Sequence, residues 1–471
     1  MSNCIGWLFD VYIEHDQAVL WIKTIDKQIL KLIDSYQPSL YILPRNESDG
    51  LQLFQILSQQ DMMVDKVRWE NDKLTNLFDH DCTKKKEKLI CVYLQSTQYY
   101  AAILKLLEKD QRVKQFFNTD LSHIQQYLFT KLRIEPTSKV EIEYDGTKLL
   151  GITKVDDEKE VSPPLFSLLY FDVETFSGKI ASEDPIRTIN VRYEDNGAKE
   201  QEPISFQSNN ESTILQDFSS YLQAKDPDIV VCMGESESKI FHYLFSRIKK
   251  LGLDLQFGRE VSANDLMNFK RPVSSWIKGR ICLESCDGDG DGVRINGTQQ
   301  SAFDSFGFAG LIERSRFGFL PLGMAARYSI NRLIDSRNCY ELIQRGFVIS
   351  KKNYASNNNN SHECIRTLEE LVSRDKGGMI ISPQIGLHEN VVSLDYESEY
   401  ANLIVNHNLS YETVTLQQEK GVVVTQQSND NKKGFIANSS REISQKTALF
   451  QETLKRATER EHGISLVRAA S

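Results

Sequence analysis

Three carboxylates occupy positions where a side chain could hold a metal ion next to a reacting phosphate. Asp395 follows the short apolar run Val391–Leu394, which is typical of a buried β-strand. Asp172 and Glu174 follow a second apolar run, Leu165–Phe171. Residues i and i+2 of a strand point to the same face of the sheet, so these two carboxylates can share a cation. Because Mg²⁺ takes one or two carboxylates and completes its shell with substrate phosphates, the pattern indicates cation-dependent phosphate chemistry.

Each of these acids also has a structural interpretation, which the residue types alone favour. An Asp at the end of a strand commonly caps the turn that follows, and an Asp-x-Glu pair is common at solvated strand ends. The choice between the two interpretations therefore depends on the residues that surround each acid.

The strand and helix patterns along the chain, which must position these acids, indicate a multidomain α/β protein. Residues 1–160 combine strand and helix periodicities. The strand patterns are Gly6–Ile13, Gln17–Ile22, Leu40–Leu43 and Leu89–Leu94, and the helix patterns are Tyr99–Leu107 and Ser122–Leu132. The charged and then proline-bearing segment Lys154–Pro164 marks a boundary, after which a second module begins.

The composition is that of an ordinary globular protein with several domains. A chain of 471 residues, of which 40% are hydrophobic and 26% charged, is long enough for two to four domains with sizeable cores. No apolar run approaches the roughly 18 residues that span a membrane, and the N-terminus lacks the pattern of a signal peptide. The eight scattered cysteines fit reduced thiols in a cytosol. The net charge of −9 counts mildly against nucleic-acid binding, although a local basic channel can coexist with an acidic exterior.

The residues around Asp395 resemble motif A of the family B DNA polymerases. That motif is a strand that ends in Asp and continues with an aromatic residue, any residue, Ser, Leu, Tyr and Pro. Asp395, Ser398 and Tyr400 match it, whereas Glu399 and Ala401 replace the usual Leu and Pro.

The segments that precede this motif also resemble the family. The lead-in Gly386–Val391 is similar to that of archaeal members. Gly377 and Gly378 resemble a Tyr-x-Gly-Gly element that links the exonuclease and polymerase sites, with Asp375 in place of Tyr. The resemblance implies that these glycines bind DNA, because a backbone without side chains can approach the template closely.

The resemblance implies a polymerase that joins nucleotides by a two-metal mechanism with Mg²⁺. Asp395 and the backbone carbonyl of Tyr396 match metal ligands of the family. Tyr400 matches the residue that lies under the sugar and excludes a 2′-hydroxyl, and Ser398 and Glu399 stand beside it at nucleotide-binding positions.

Asp172 and Glu174 resemble the first motif of the 3′–5′ exonuclease domain that accompanies these polymerases. In the second motif the family has an Asp where this chain has Ser238, and Glu235 and Glu237 are the nearby carboxylates.

Asp304 is the counterpart of the acid in the third exonuclease motif, where Gln300 replaces the usual Tyr. A metal-site acid and a helix cap are equally consistent with Asp304. The sequence therefore leaves proofreading activity open.

A run of alternating acids lies between these motifs. Asp287, Asp289 and Asp291 match the start of a calcium-binding EF-hand loop, but Thr298 stands where that loop needs its bidentate Glu. The sequence favours an acidic insertion over a calcium site.

The resemblance predicts four parts in the chain. Residues 1–160 correspond to an N-terminal α+β domain, and residues 161–350 to an RNase H-like exonuclease domain that ends in helices. Residues 351–431 correspond to the first part of the palm, and residues 432–471 to the start of the fingers.

Two motifs of the polymerase site do not occur in these 471 residues. They are the second palm acid, in Tyr-x-Asp-Thr-Asp, and the fingers lysine that grips the triphosphate. A split polymerase, a truncated gene product and a degenerate paralogue are all consistent with this pattern.

The expected partners are primer–template DNA, deoxynucleoside triphosphates, a second polypeptide with the remaining palm, fingers and thumb, and a sliding clamp. The expected location is the cytoplasm, in association with the nucleoid, without a membrane. The alternatives are a catalytically inactive DNA-binding or assembly subunit and a stand-alone 3′–5′ exonuclease.

Overall fold

The computed structural model describes most of the first 351 residues and parts of the remainder. The described ranges are 2–60, 62–75, 86–155, 166–178, 180–181, 183–195, 198–199, 203–233, 237–260, 277–285, 302–351, 382, 384–394, 396, 399–410, 414–419 and 422–427. The chain divides into two units, one made of residues 1–73 and 87–349 and the other of residues 74–86 and 350–471.

The N-terminal part of the first unit contains a closed barrel and a four-stranded sheet. In chain order its elements are β1 (Ser2–Glu14), β2 (Gln17–Thr24), β3 (Ile29–Ser35), β4 (Ser39–Pro44), α1 (Glu47–Ser58), β5 (Val64–Leu74), β6 (Lys86–Leu94), α2 (Tyr100–Leu107), β7 (Val113–Phe117), α3 (His123–Tyr127), a π-helical turn (Leu128–Leu132), β8 (Lys139–Asp145) and β9 (Lys148–Lys154). The barrel has the order β1-β2-β3-β9-β8, and the sheet has the order β5-β6-β4-β7. The strand and helix patterns predicted in residues 1–160 are thus confirmed, because each falls on a strand or helix.

The second part of this unit is a mixed sheet with two helices. Its elements are β10 (Ser167–Thr175), β11 (Ile186–Asp195), β12 (Ala198–Lys199), β13 (Ile204–Gln207), α4 (Glu211–Lys225), β14 (Ile229–Met233), α5 (Glu237–Lys250) and β15 (Ile281–Ser285). The sheet order is β12-β11-β10-β14-β15, and β13 also pairs with β11. β10, β14 and β15 run parallel, while β11 is antiparallel to β10.

The two faces of this sheet are buried against different partners. On one face, Phe171 of β10 packs against Phe218 of α4 and Phe241 of α5. On the other face, Leu168 and Val231 belong to a buried cluster that includes barrel residues from β1 and β2. One face of the sheet therefore packs against strands β1 and β2 of the barrel.

An ion-pair network is buried at the junction between barrel and sheet. Asp228, which is fully buried just before β14, pairs with Lys23 of β2 and with Arg259, whose Nη2 donates to its Oδ1 at 2.8 Å. The other oxygen, Oδ2, accepts hydrogen bonds from the backbone N–H of Ser167 at 3.0 Å and from its hydroxyl at 3.1 Å. The network joins β2, β10 and β14.

Three helices follow and return the chain to the barrel. They are α6 (Ala302–Gly318), interrupted at Gly307, α7 (Leu322–Arg327) and α8 (Ile330–Gln344). Tyr340 of α8 stacks on Phe319 with ring centroids 3.7 Å apart, and both rings pack against Phe129 of the π-helical turn. The C-terminal part of the range 161–350 thus packs against the N-terminal barrel.

In the second unit, the described elements are α9 (Glu399–Asn406) and a hairpin of β16 (Val414–Glu419) and β17 (Val422–Gln427). Tyr400 and the residues that follow it lie in α9. The buried strand predicted at Val391–Leu394 is wrong, because these residues form no strand and Leu394 is 92% exposed. A strand needs a neighbour to receive its backbone hydrogen bonds, and the described part of this unit pairs none with this run.

Within the described residues, no helix has both the length and the apolar character needed to cross a membrane.

Candidate functional site

The predicted pair Asp172 and Glu174 lies on the exposed end of strand β10. Their side chains share one face of the sheet, as the spacing predicts, with Asp172 half-buried and Glu174 exposed. The pairing with β11 places Asn190 directly opposite Asp172 and Thr188 opposite Glu174. The register shifts by one residue just after Glu174, so regular pairing ends beside the second carboxylate.

Asn190 connects the two carboxylates. Its Nδ2 donates a hydrogen bond to Oδ2 of Asp172 at 3.0 Å and another to Oε1 of Glu174 at 3.2 Å. On the neighbouring strand β13, the hydroxyl of Ser205 donates to Oδ1 of Asn190 at 2.7 Å. Three strands thus supply one polar cluster.

The electrostatics of the cluster favour a cation. Burial raises the pKa of Asp172 above its ordinary value, and the nearby charge of Glu174 raises it further, while the hydrogen bond from Asn190 lowers it. Two like charges on one face repel each other, and a divalent cation between them would relieve that repulsion.

The second exonuclease motif follows strand β14, next to β10. Cys232 of β14 pairs with Phe171 in parallel, so both strands run toward the edge that carries Asp172. Glu235 lies outside the described residues, and only the backbone of Glu237 and Ser238, at the start of α5, is described.

The third motif is described only in part. The structure places Asp304 in the first turn of α6, but its side chain lies outside the description, as does the whole of Gln300. The role of Asp304 stays a prediction.

The donor set at β10 fits one hard divalent cation. Carboxylate oxygens are ligands that Mg²⁺ or Mn²⁺ accepts together with water, whereas the Asn190 amide turns its nitrogen to the carboxylates and is not a ligand. Among the residues that the structure describes, no group of three or more His, Cys, Asp and Glu side chains is placed to hold a metal ion. A two-metal exonuclease site would therefore need ligands beyond those described.

The residues of motif A are described only in part. Asp395 and Ser398 lie outside the described residues, as do Gly377 and Gly378. Glu399 and Tyr400 open helix α9, and the Tyr400 side chain is 80% exposed.

Tyr396, whose carbonyl was predicted as a metal ligand, is 79% exposed. The structure brings Glu399 and Tyr400 together at one helix start, and the described residues of motif A alone do not define a nucleotide site.

Asn190 is the site residue that reasoning from sequence missed. It lies on strand β11, and none of the motifs recognised in the sequence includes it. Alternation along that strand puts Thr188, Asn190 and Arg192 on one face, and antiparallel pairing with β10 would have pointed to one of them as the partner of Asp172.

A protein-family model supports the polymerase resemblance at the C-terminal end of the chain. Residues 338–462, which include all of motif A, match the model described as DNA polymerase family B.

Individual relatives extend the similarity toward the N-terminus. DNA polymerase 2 of Saccharolobus solfataricus is 35% identical over 105 residues, which cover 22% of this chain and 16% of that protein. The DNA polymerase of Archaeoglobus fulgidus is 24% identical over 459 residues, covering 88% of this chain and 55% of that protein. For the enzyme of Pyrococcus glycovorans the identity is 22%, with 81% of this chain and 51% of that protein covered. The chain spans about half the length of the longer matches.

The fold agrees with a solved structure. The family B DNA polymerase from the hyperthermophilic archaeon Pyrobaculum calidifontis superposes with a TM-score of 0.68 at 17% sequence identity. The superposition covers 96% of this chain and 64% of that protein.

Proposed function

Because the chain is similar over most of its length to the N-terminal portion of archaeal family B DNA polymerases, we propose that it takes part in template-directed DNA synthesis. The substrates are primer–template DNA and deoxynucleoside triphosphates. The observation that carries this proposal is the match of residues 338–462 to the family model, because that range contains Asp395 together with Ser398 and Tyr400.

In this proposal each motif A residue has one task. Asp395 and the carbonyl of Tyr396 hold Mg²⁺, and Tyr400 lies under the incoming sugar, with Ser398 and Glu399 beside it. Bound Mg²⁺ would supply the charge stabilisation that transfer of a nucleotidyl group requires. Upstream, Gly377 and Gly378 let the backbone approach the template.

Further groups must complete this polymerase site. A second palm acid and a fingers lysine do not occur in the 471 residues, so polypeptide beyond them has to supply both. That polypeptide would carry the remaining palm, fingers and thumb. The family resemblance also suggests a sliding clamp as a partner and the nucleoid as the place of action.

We further propose that Asp172 and Glu174 bind a divalent cation in an exonuclease-type domain. Their shared face and their joint hydrogen bonds to Asn190 support this assignment. Asp304 is the candidate for a further ligand. Because Ser238 stands where the family has the Asp of the second exonuclease motif, this domain would degrade DNA slowly.

Primer extension with Mg²⁺ and deoxynucleotides tests the polymerase assignment. The chain alone should give no extension. Addition of a polypeptide with the two absent motifs should give extension, which Asp395→Ala should abolish, whereas the matched change Asp217→Ala, at an exposed position of α4, should not. Extension by the unaided chain would contradict the need for a second acid.

A second candidate is an inactive DNA-binding or assembly subunit, and Ser238 in place of the exonuclease Asp favours it. This candidate predicts a stable complex on primer–template without extension in either reaction. Shortening of the primer would instead identify a working exonuclease.

A further inference from the structure

The amide of Asn190 has a geometry that suits a role at the Asp172–Glu174 pair. An amide nitrogen carries two hydrogens, and here one hydrogen bond goes to each carboxylate, at 3.0 and 3.2 Å. One amide on β11 therefore holds one oxygen of Asp172 and one oxygen of Glu174, both on β10, in a fixed position relative to each other.

The orientation of this amide is determined from both sides. Its oxygen accepts from the Ser205 hydroxyl at 2.7 Å, while its nitrogen faces the two carboxylates. Rotation by half a turn would put the amide oxygen against two negatively charged groups, which is unfavourable. Strand pairing adds a further constraint, because β11 places Asn190 opposite both Asp172 and Ser205.

The neutral charge of Asn190 matters for cation binding. A Lys or Arg in the same position would link the carboxylates but would cancel the negative charge that attracts a cation. The guanidinium of Arg192, which shares this face of β11, lies over the ring of Tyr170 at 4.3 Å and pairs with Glu194 at 3.8 Å. The amide thus orients the pair and preserves its charge.

We propose that Asn190 is a positioning residue that sets the separation and orientation of Asp172 and Glu174 for one divalent cation, without touching the cation itself. This inference rests on the proposed cation site of the exonuclease-type domain. Side chains that orient metal ligands in this way typically change metal affinity about 10–100-fold when removed.

Binding of Mn²⁺, followed by electron paramagnetic resonance on the full chain, tests the proposal. The signal of interest is the difference between the unaltered chain and Asp172→Ala, because binding elsewhere, including at Asp287, is common to both. Asn190→Ala and Asn190→Leu should each weaken this difference binding about 10–100-fold. Leu has the same number and branching of side-chain heavy atoms as Asn but no donor, so equal losses would identify hydrogen bonding as the cause.

Two further variants complete the experiment. Ser205→Ala removes the support behind the amide and should weaken Mn²⁺ binding less than Asn190→Ala does. Gln207→Ala removes an amide side chain from β13, the strand that carries Ser205, and should leave the affinity unchanged. Thermal unfolding in metal-free buffer shows that each variant is folded before the titration.

Two outcomes would overturn the inference, and they differ. If the unaltered chain and Asp172→Ala bind Mn²⁺ equally, the cation site itself is wrong, and the role of Asn190 falls with it. If Asp172→Ala abolishes the site but Asn190→Ala and Asn190→Leu bind as tightly as the unaltered chain, only the role of Asn190 is wrong. Loss in Asn190→Ala alone would assign a space-filling role.

Discussion

Asp10, Asp172 and Asp228 belong to the same unit, yet the fold treats their charges in three different ways. The negative charge of Asp228 is neutralised by ion pairs with Lys23 and Arg259. Asp172 is held beside another carboxylate by a neutral amide, so its charge is retained for a cation. Asp10 has no such arrangement, and burial raises its pKa to about 7, although the N–H of Val11 and the charge of Arg327 lower it.

We predict that Asp10 makes the stability of the fold depend on pH. Since its pKa is higher in the folded chain than in the unfolded chain, the folded state binds the extra proton between about pH 4 and pH 7. The contribution of Asp10 to stability is therefore most favourable below this window and is lost as the pH rises through it. Asp10→Asn should be more stable than the unaltered chain at pH 8, by at least about 1 kcal/mol, and the difference should vanish near pH 4.

Urea unfolding across the pH range, with chelator present, measures this effect. Asp145→Asn, at the exposed end of β8, serves as the control and should follow the unaltered chain. A constant difference between Asp10→Asn and the unaltered chain at every pH would contradict the assigned pKa.

At the scale of elements, the sequence predicted what depends on local pattern. The pairs of strands in the barrel and the helix after Tyr99 follow from the periodicity of their own residues, and the i, i+2 spacing put Asp172 and Glu174 on one face. Val391–Leu394 has the same apolar character but no paired neighbour in the described structure, so the prediction of a strand there was wrong. Asn190 was missed because its role depends on the register between strands distant in sequence.

The junction between barrel and sheet provides a prediction at this scale. Asp228→Ala would leave Lys23 buried without its partner and Arg259 with Asp226 as its remaining carboxylate, and breaking a buried pair in this way costs about 3–5 kcal/mol. The exposed pair Lys27–Asp195 joins the same barrel to the same sheet, so Asp195→Ala is a matched control that should cost at most about 1 kcal/mol.

Chemical denaturation of the two variants measures this difference. The double variant Lys23→Met/Asp228→Leu should recover part of the loss, because it also removes the buried charge of Lys23, while Arg259 keeps its pair with Asp226. Equal destabilisation by Asp228→Ala and Asp195→Ala would contradict the view that burial makes the first network important.

The whole molecule combines two sets of carboxylates in different units of the chain. Asp172 and Glu174 belong to the unit with the barrel and the mixed sheet, whereas Asp395 belongs to the second unit. The family model matches the range that contains Asp395, whereas the described side-chain geometry concerns Asp172 and Glu174. A net charge of −9 gives the molecule little general attraction for DNA, so the proposed binding of primer–template has to come from local features.

Two separate sites predict separable effects of substitution. In the reaction completed by the additional polypeptide, Asp395→Ala should abolish primer extension, while Asp172→Ala should leave its rate within about twofold of the unaltered protein. Asp172→Ala should instead remove any Mg²⁺-dependent shortening of a single strand, which Asp395→Ala should leave intact. The test is to measure the rates of extension and shortening on one labelled primer, for each single variant and for the double variant. These rates show whether the two sites act independently. If Asp172→Ala also abolished extension in a chain that remained folded, the two sets of acids would have to act as one site, and the assignment of the exonuclease-type domain would be wrong.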